Sequence, residues 1–265
     1  VNEPSFMAFA GGDAALFAPH LTGRGWDLKV NLCRAAIAGI EAIWAASPGA
    51  RIVNVDPMCR VVAPAGRTDL EEDVEDFNER LVFQAWDMLC GRLLPELGGS
   101  PKHLDIVGMN YYWTNQWEWG APANADGIVP PLGEEDPRRV SLEELVRIVW
   151  RRYGSEVMIS ETAHIGDRRG PWVRELEACA NVLAAEGIPL SGICLYPIQS
   201  MPEWHNPEVW LPMGLWEPAC EAQGQDRAVC WPMLKALQEA HARSRSKVFP
   251  VRLSNSGSDD AAWMR

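Results

Sequence analysis

Short apolar runs typical of β-strands alternate with longer amphipathic segments typical of helices along most of this sequence. The clearest strand-like runs are residues 51–57, 104–112, 157–161 and 190–197, and a much shorter one opens the chain. The helical patterns cover residues 26–46, 70–94, 141–153, 171–186 and 226–242. Strict alternation of this kind predicts an α/β fold with a parallel sheet, either doubly wound or part of a barrel.

Local signals mark where some of these elements begin and end. The first helical segment closes at residues 47–49, whose sequence Ser-Pro-Gly cannot continue a helix. Ser141 followed three residues later by Glu144 has the capping-box pattern that starts a helix. Backbone preferences at these boundaries therefore agree with the alternation.

The lengths of the loops favour a barrel over a doubly wound sheet. A long loop rich in Trp, Gly and Pro follows the run at 104–112, and another follows the run at 190–197. Loops after the strands of a (β/α)8 TIM barrel carry its active site, so long aromatic loops suit that fold. The five βα units fall three short of a closed barrel. We therefore expect an incomplete barrel domain over residues 1–243 and a loose, polar tail over residues 244–265.

Charge and composition narrow the range of partners. The formal net charge is −12, which disfavours nucleic acid and anionic membranes because both would repel such a surface. No apolar run approaches the about 20 residues that a membrane-spanning helix needs. Thirteen tryptophans against four tyrosines supply indole faces on which sugar rings can stack. A neutral small molecule is the expected ligand.

Cysteine and histidine usage argues against disulfides and metals. The seven cysteines form no Cys-x-x-Cys pair, and the histidines are too scattered for a ligand-spaced site. Free thiols on apolar faces favour a reducing compartment, so we expect a cytoplasmic protein. The sequence has no phosphate-binding glycine-rich loop and no nucleotide fingerprint, so we expect no cofactor.

Two glutamates carry the strongest chemical signal. Glu3 and Glu161 each close an apolar run, and parallel strands of one barrel present their C-terminal ends to the same mouth. Two carboxylates about 5 to 5.5 Å apart are what hydrolysis of a glycosidic bond with retention requires. Asn2 lies beside Glu3 and could donate its amide to a sugar 2-hydroxyl.

Five segments, in the same order, resemble those of the retaining β-glycosidases of glycoside hydrolase family 1. Residues 2–4 (Asn-Glu-Pro) resemble the acid/base motif that ends strand 4 of that family, and residues 104–112 resemble its strand 6. Residues 159–163 (Ile-Ser-Glu-Thr-Ala) resemble strand 7, which carries the nucleophile. Residues 196–204 align without gaps with the strand 8 segment, and residues 213–215 resemble its Phe-Gly-Leu.

The resemblance implies a β-glucosidase-like hydrolase that acts on small glucosides by double displacement. Glu161 would be the nucleophile and Glu3 the acid/base. It also implies that Asn110 lines the pocket and that Tyr112 hydrogen-bonds the nucleophile. Further residues of the sugar site would be Tyr196, Glu203 and Trp204.

The sequence departs from the family pattern in three ways. Thr162 and Ala163 follow the nucleophile position where the family has Asn-Gly, and Tyr196 replaces its platform tryptophan. The regions resembling strands 1 to 3, with a Gln and a His of the first subsite, are missing. The resemblance thus implies an N-terminally truncated barrel with about strands 4 to 8. An inactive fragment or a non-catalytic carbohydrate-binding relative is the alternative expectation.

Overall fold

The computed structural model describes residues 1–122, 129–204, 206–218 and 227–246. The strands are β1 Val53–Pro57, β2 Arg60–Val62, β3 Ile106–Asn110, β4 Gln116–Glu118, β5 Glu156–Thr162, β6 Leu190–Leu195, β7 Met201–Pro202 and β8 Trp210–Leu211. The main sheet has four parallel strands in the order β1, β3, β5, β6. Two small ladders, β2 with parallel β4 and β7 with antiparallel β8, extend from it. The predicted α/β fold with a parallel sheet is confirmed.

A fifth parallel position lies at the start of the chain. Asn2 forms a parallel bridge with Val55, and the Glu3 N–H donates to the Val55 carbonyl at 3.2 Å. Within the described ranges, neither this segment nor β6 pairs with a further strand on its outer side. The sheet is therefore an open arc in this part of the chain.

Helices follow the strands as the alternation predicts. The α-helices are α1 Pro4–Met7, α2 Gly25–Ala46, α3 Glu71–Glu79, α4 Gln84–Leu89, α5 Leu142–Tyr153, α6 Arg169–Ala185 and α7 Trp231–Ser246. A π-helix, Ala8–Asp13, continues α1. The 3-10 turns are Thr68–Leu70, Leu81–Phe83, Pro95–Leu97, Pro101–Leu104 and Gly166–Arg168. No helix in the described ranges is both long and apolar enough to cross a bilayer.

The core lies between the helices and one face of the sheet. Val107, Met109 and Ile159 point into it from the strands and meet the fully buried Trp86 and Leu145. The opposite face of the sheet carries the residues that lie beneath the candidate active site. A Cβ at Gly108 would lie 2.4 Å from Val55 Cγ1, so only glycine lets these strands approach closely there.

The long helix predicted over residues 70–94 is wrong. Helix α3 ends at Glu79, Arg80 leaves the helical region, and α4 begins only at Gln84. The Asn78 side chain explains the break because it bonds both the N–H and the carbonyl of Val61, at 3.0 and 2.9 Å. This fixes the end of α3 on β2, and the chain then turns to insert its next aromatic residues into the core.

The other predicted boundaries agree more closely. Ser141 caps α5 by accepting the Glu144 N–H at 3.4 Å, and Gly154 ends that helix in a left-handed conformation. Helix α7 begins at Trp231 and extends to Ser246, so the first three residues of the predicted tail are helical. Residues 247–265 lie outside the described residues.

Candidate active site

Four side chains meet at the C-terminal edge of the main sheet. Glu3 follows the segment that bridges β1, Asn110 ends β3, and Glu161 lies near the end of β5. Tyr112 follows β3 by two residues. Two hydrogen bonds from this strand end reach the two carboxyl groups, so β3 links them.

Glu3 occupies a strained backbone position. Its φ of 44° and ψ of 62° are left-handed, which is unusual for a residue other than glycine. The following Pro4 disfavours the right-handed alternative. Such a conformation costs on the order of 1–3 kcal/mol and is found where surrounding structure holds a functional side chain. Glu3 thus follows a very short strand-like segment, which bridges β1 through Asn2, and it holds the N-cap position of α1.

The Glu3 carboxyl turns away from its own helix toward Asn110. Asn110 Nδ2 donates to Glu3 Oε1 at 2.8 Å. Burial raises the pKa of Glu3 to about 7, the Asn110 bond opposes this rise, and the negative charges of Glu161 and Asp56 add to it. A carboxyl group with this pKa can both give and take a proton near neutral pH.

The orientation of the Asn110 amide follows from a second hydrogen bond. The Ser160 hydroxyl donates to Asn110 Oδ1 at 2.6 Å, so the amide nitrogen faces Glu3. A register shift between β3 and β5 pairs Asn110 with Glu161 and leaves Ser160 between the paired positions. The bulge therefore brings both residues of β5 to the same site.

Tyr112 forms a hydrogen bond with the second carboxylate, that of Glu161. Its hydroxyl donates to Glu161 Oε2 at 3.0 Å, and the Glu161 carbonyl accepts the Tyr111 N–H at 2.9 Å. Burial, with the nearby charge of Glu161, raises the pKa of Tyr112, so this phenol remains a donor. Side chain and backbone of Glu161 are thus both fixed by the end of β3.

The remaining predicted sugar-site residues lie on three other segments of the chain. Tyr196 directly follows β6 and is 38% exposed; burial raises its pKa, and so do the charges of Glu161 and Glu3. Asn2 is exposed beside Glu3. Glu203 and Trp204 lie on the loop after β7. The Glu203 carboxylate accepts the backbone N–H of Asn206 at 2.7 Å, so it also shapes its own loop.

Trp204 contacts an aromatic residue that sequence reasoning missed. It is 53% exposed, and its ring meets Phe17 edge-on with 5.8 Å between centroids. Phe17 in turn lies 6.1 Å from Phe6 of α1. This aromatic row joins the loop after β7 to the segment that carries Glu3.

Ser160 and Asp56 are also polar residues that sequence reasoning missed as parts of the site. Ser160 precedes the predicted nucleophile, and only the register shift brings it to the same site. Asp56 lies on β1, is fully buried, and accepts the Ser5 N–H at 2.9 Å. Among the described residues, no group of three or more His, Cys, Asp or Glu side chains converges as metal ligands.

Comparisons with known proteins identify the fold. No protein-family model matches the sequence, and no curated protein matches it. Solved structures do match: a family 1 β-glucosidase from Thermotoga maritima has 16% identity and a TM-score of 0.69 over 92% of this chain. A β-glucosidase from Exiguobacterium marinum has 16% identity and a TM-score of 0.68 over 93%. At such identities the likeness shows a shared fold alone.

The likeness extends over only part of the matched structures. This chain spans 62% of the Thermotoga maritima β-glucosidase and 64% of the Exiguobacterium marinum protein. The class that these observations define is therefore an α/β protein with a β-glucosidase-like fold.

Proposed function

We propose that this chain is the C-terminal arc, about strands 4 to 8, of a (β/α)8 barrel of the family 1 type. Its activity would be the hydrolysis of β-glycosidic bonds in small glucosides with retention of configuration. One observation carries the proposal: the end of β3 bonds two carboxyl groups, Glu3 through Asn110 and Glu161 through Tyr112. Two carboxyl groups serving one bond are the requirement of this chemistry.

In the first step, a Glu161 carboxylate oxygen attacks the anomeric carbon while Glu3 gives its proton to the glycosidic oxygen. The C–O bond to the leaving group breaks, and a covalent glycosyl ester of Glu161 forms. In the second step Glu3 takes a proton from water, and the water oxygen displaces Glu161 from the anomeric carbon. The sugar leaves with its original configuration because two inversions have occurred.

The environment of Glu3 suits both of its roles. With a pKa of about 7, Glu3 retains its proton in a large share of molecules at neutral pH. The charge of Glu161 is one cause of this raised pKa, and the glycosyl ester removes that charge. The pKa of Glu3 then falls, and the same group becomes the base that the second step needs.

The sugar would bind over this pair of carboxyl groups. Tyr196 would supply a platform for the ring, and Asn2, Glu203 and Trp204 would contact hydroxyl groups. Solved structures of the Thermotoga maritima β-glucosidase include complexes with noeuromycin and deoxynojirimycin, which supports a small glycoside as substrate.

Covalent trapping tests the proposal. A dinitrophenyl glucoside with fluorine in place of the 2-hydroxyl slows both steps but leaves with ease, so the glycosyl-enzyme accumulates. Mass spectrometry of the wild-type protein should then show one added fluorosugar on the peptide that contains Glu161. E161Q should not be labelled, whereas E72Q on exposed α3 should be labelled like the wild type. Labelling of another residue, or turnover without any adduct, would contradict the assignment.

A second candidate is glycoside binding without hydrolysis. It is favoured by the open sheet, since in the described ranges the outer sides of β6 and of the Asn2 segment are unpaired. Calorimetry with deoxynojirimycin separates the two candidates. Binding by a folded protein that does not turn over an aryl β-glucoside would support the second candidate and exclude the first.

A further inference from the structure

A buried carboxyl group lies under α1 and takes no part in the steps above. Asp56 is fully buried on β1, and its neighbour Val55 accepts the Glu3 N–H. Asp56 Oδ1 accepts the Ser5 N–H at 2.9 Å, whereas Oδ2 has no hydrogen-bond partner among the described residues. The Ser5 hydroxyl faces the same carboxyl group without the geometry of a hydrogen bond. Burying a carboxyl group in this way is costly, so we expect Asp56 to have a structural or functional role.

The reason lies in the start of α1. The first N–H groups of a helix have no partner within it, and the side chain of the N-cap residue usually accepts one. Glu3 holds the N-cap position but makes no such bond, because its carboxyl group is bonded to Asn110. Asp56 provides an acceptor from the neighbouring strand. Without it, the nearest substitute would be the Glu3 carboxyl group, which would have to leave Asn110.

Asp56 also acts on Glu3 through its charge. Burial raises the pKa of Asp56 to about 6, and the cation of Lys29, from α2, opposes that rise. Within the described part of the chain, the other titratable groups that interact with this carboxyl are Glu3, Cys33 of α2 and Cys59 after β1. Ionised Asp56 raises the pKa of Glu3, which favours the protonated acid.

We propose that Asp56 is a positioning residue: it holds the start of α1 from the strand beneath, so that the Glu3 carboxyl stays bonded to Asn110 instead of capping its own helix. The part of this inference that concerns catalysis rests on the proposed function. The part that concerns the Glu3 carboxyl does not.

Leaving-group dependence tests the catalytic part. D56A removes the acceptor, so kcat/KM for a nitrophenyl β-glucoside should fall by roughly 10- to 100-fold, the usual effect of a misplaced general acid. Dinitrophenolate needs no proton to leave, so the fall for the dinitrophenyl substrate should stay within about threefold. An equal fall for both substrates in a D56A protein that circular dichroism shows to be folded would overturn the proposal, because a misplaced acid should spare the dinitrophenyl substrate. D56N keeps an acceptor oxygen and should retain kcat/KM within about fivefold for both substrates.

A second measurement needs no activity and works even where D56A does not fold. Carboxyl groups of ¹³C-labelled glutamate are titrated by NMR, and the Glu3 resonance is assigned by its loss in E3Q. Without the Asp56 charge, the Glu3 titration in D56N should move to lower pH than in the wild type. An unchanged titration would show that Asp56 does not act on Glu3 through its charge, and would overturn that part of the inference. A wild-type protein without hydrolytic activity, but with the expected shift, would overturn only the proposed function.

Discussion

The amide of Asn110 has one orientation that satisfies both of its neighbours, because the Glu3 carboxylate can only accept a hydrogen bond whereas the Ser160 hydroxyl can also donate one. With Oδ1 occupied by Ser160, Nδ2 is left to donate to Glu3. A donor to a carboxylate stabilises its charged form, and accordingly this bond opposes the raised pKa of Glu3. Ser160 thus supports the bond from Asn110 to Glu3 through Asn110 Oδ1.

Replacing Ser160 by Ala should therefore raise the pKa of Glu3 above about 7. The amide of Asn110 loses its fixed orientation, and the charged form of Glu3 loses part of its stabilisation. The alkaline limb of the kcat/KM profile should move to higher pH, since the acid keeps its proton longer. S191A on exposed β6 is the matched control. A limb that moves to lower pH would contradict this account of Asn110.

Tyr112→Phe should lower kcat by roughly 10- to 100-fold, because the Glu161 carboxylate loses the phenol that orients it. The loss should be as large for a dinitrophenyl glucoside as for a nitrophenyl one, since it concerns the nucleophile and not the acid. Y153F removes a buried hydroxyl bonded to Asp87 and serves as the control for stability. A loss confined to the poorer leaving group would assign Tyr112 to Glu3 instead.

The raised pKa of Glu3 also makes a prediction about stability. A carboxyl group whose folded-state pKa lies above its unfolded value of 4.5 binds its proton more tightly when folded. Its contribution to stability is complete below pH 4.5 and is lost as pH rises through about 7. E3Q should thus raise the free energy of unfolding at pH 8 by on the order of 1–3 kcal/mol, and by much less near pH 4.

Urea unfolding of E3Q and the wild type at several pH values measures this difference. E72Q, the same change on the exposed face of α3, tests whether removing any one negative charge is enough to raise the free energy of unfolding. An E3Q protein that is less stable than the wild type at pH 8 would show that the Glu3 carboxylate is well solvated.

At the scale of elements, β-strands could be predicted from the sequence more closely than the long helix. Residues 104–112 and 157–161 are predicted as strands, and β3 and β5 confirm them. β3 is buried on both faces, which explains its almost continuous apolar run, whereas buried and half-buried residues alternate along most of β5. Residues 70–94 also have a helical pattern, yet α3 and α4 are separate. The cause is the contact of Asn78 with β2, and no local pattern encodes such a contact.

Asn78→Ala should destabilise the fold by about 1–3 kcal/mol, since it leaves the N–H and carbonyl of Val61 without their partners in a buried place. Thermal or urea unfolding followed by circular dichroism measures the change. N31A removes an exposed hydrogen bond on α2 and should cost less than about 0.5 kcal/mol. Equal effects of the two changes would mean that the Val61 contacts contribute little.

The sequence predicted the two carboxylates of the candidate site and, through the resemblance, Asn110 and Tyr112 beside them, but it predicted neither the turn at Glu3 nor Ser160. Glu3 and Glu161 follow from apolar runs that end on a charge, because strand ends of a parallel sheet share one edge. The left-handed turn at Glu3 could not be foreseen, as it depends on contacts with β1. The same holds for Ser160, which only the register shift brings to Asn110.

At the scale of the whole molecule, the chain is an arc of parallel positions, and an aromatic row reaches from one end of the arc to the other. Phe6 and Phe17 belong to the segment of Glu3, whereas Trp204 belongs to the loop after β7. The row brings side chains from both ends of the open sheet into contact. We propose that this arc holds a nucleophile, Glu161, and an acid/base, Glu3, with opposite roles.

The stereochemistry of azide rescue separates these two roles. In E161G, azide should fill the space of the lost nucleophile and attack from the same side as Glu161, so an activated β-glucoside should give the α-glucosyl azide. In E3A the covalent intermediate still forms, and azide should displace it to give the β-glucosyl azide. Opposite anomers from the two variants are the predicted result; the same anomer from both, or no rescue of either variant while the wild type is active, would contradict it.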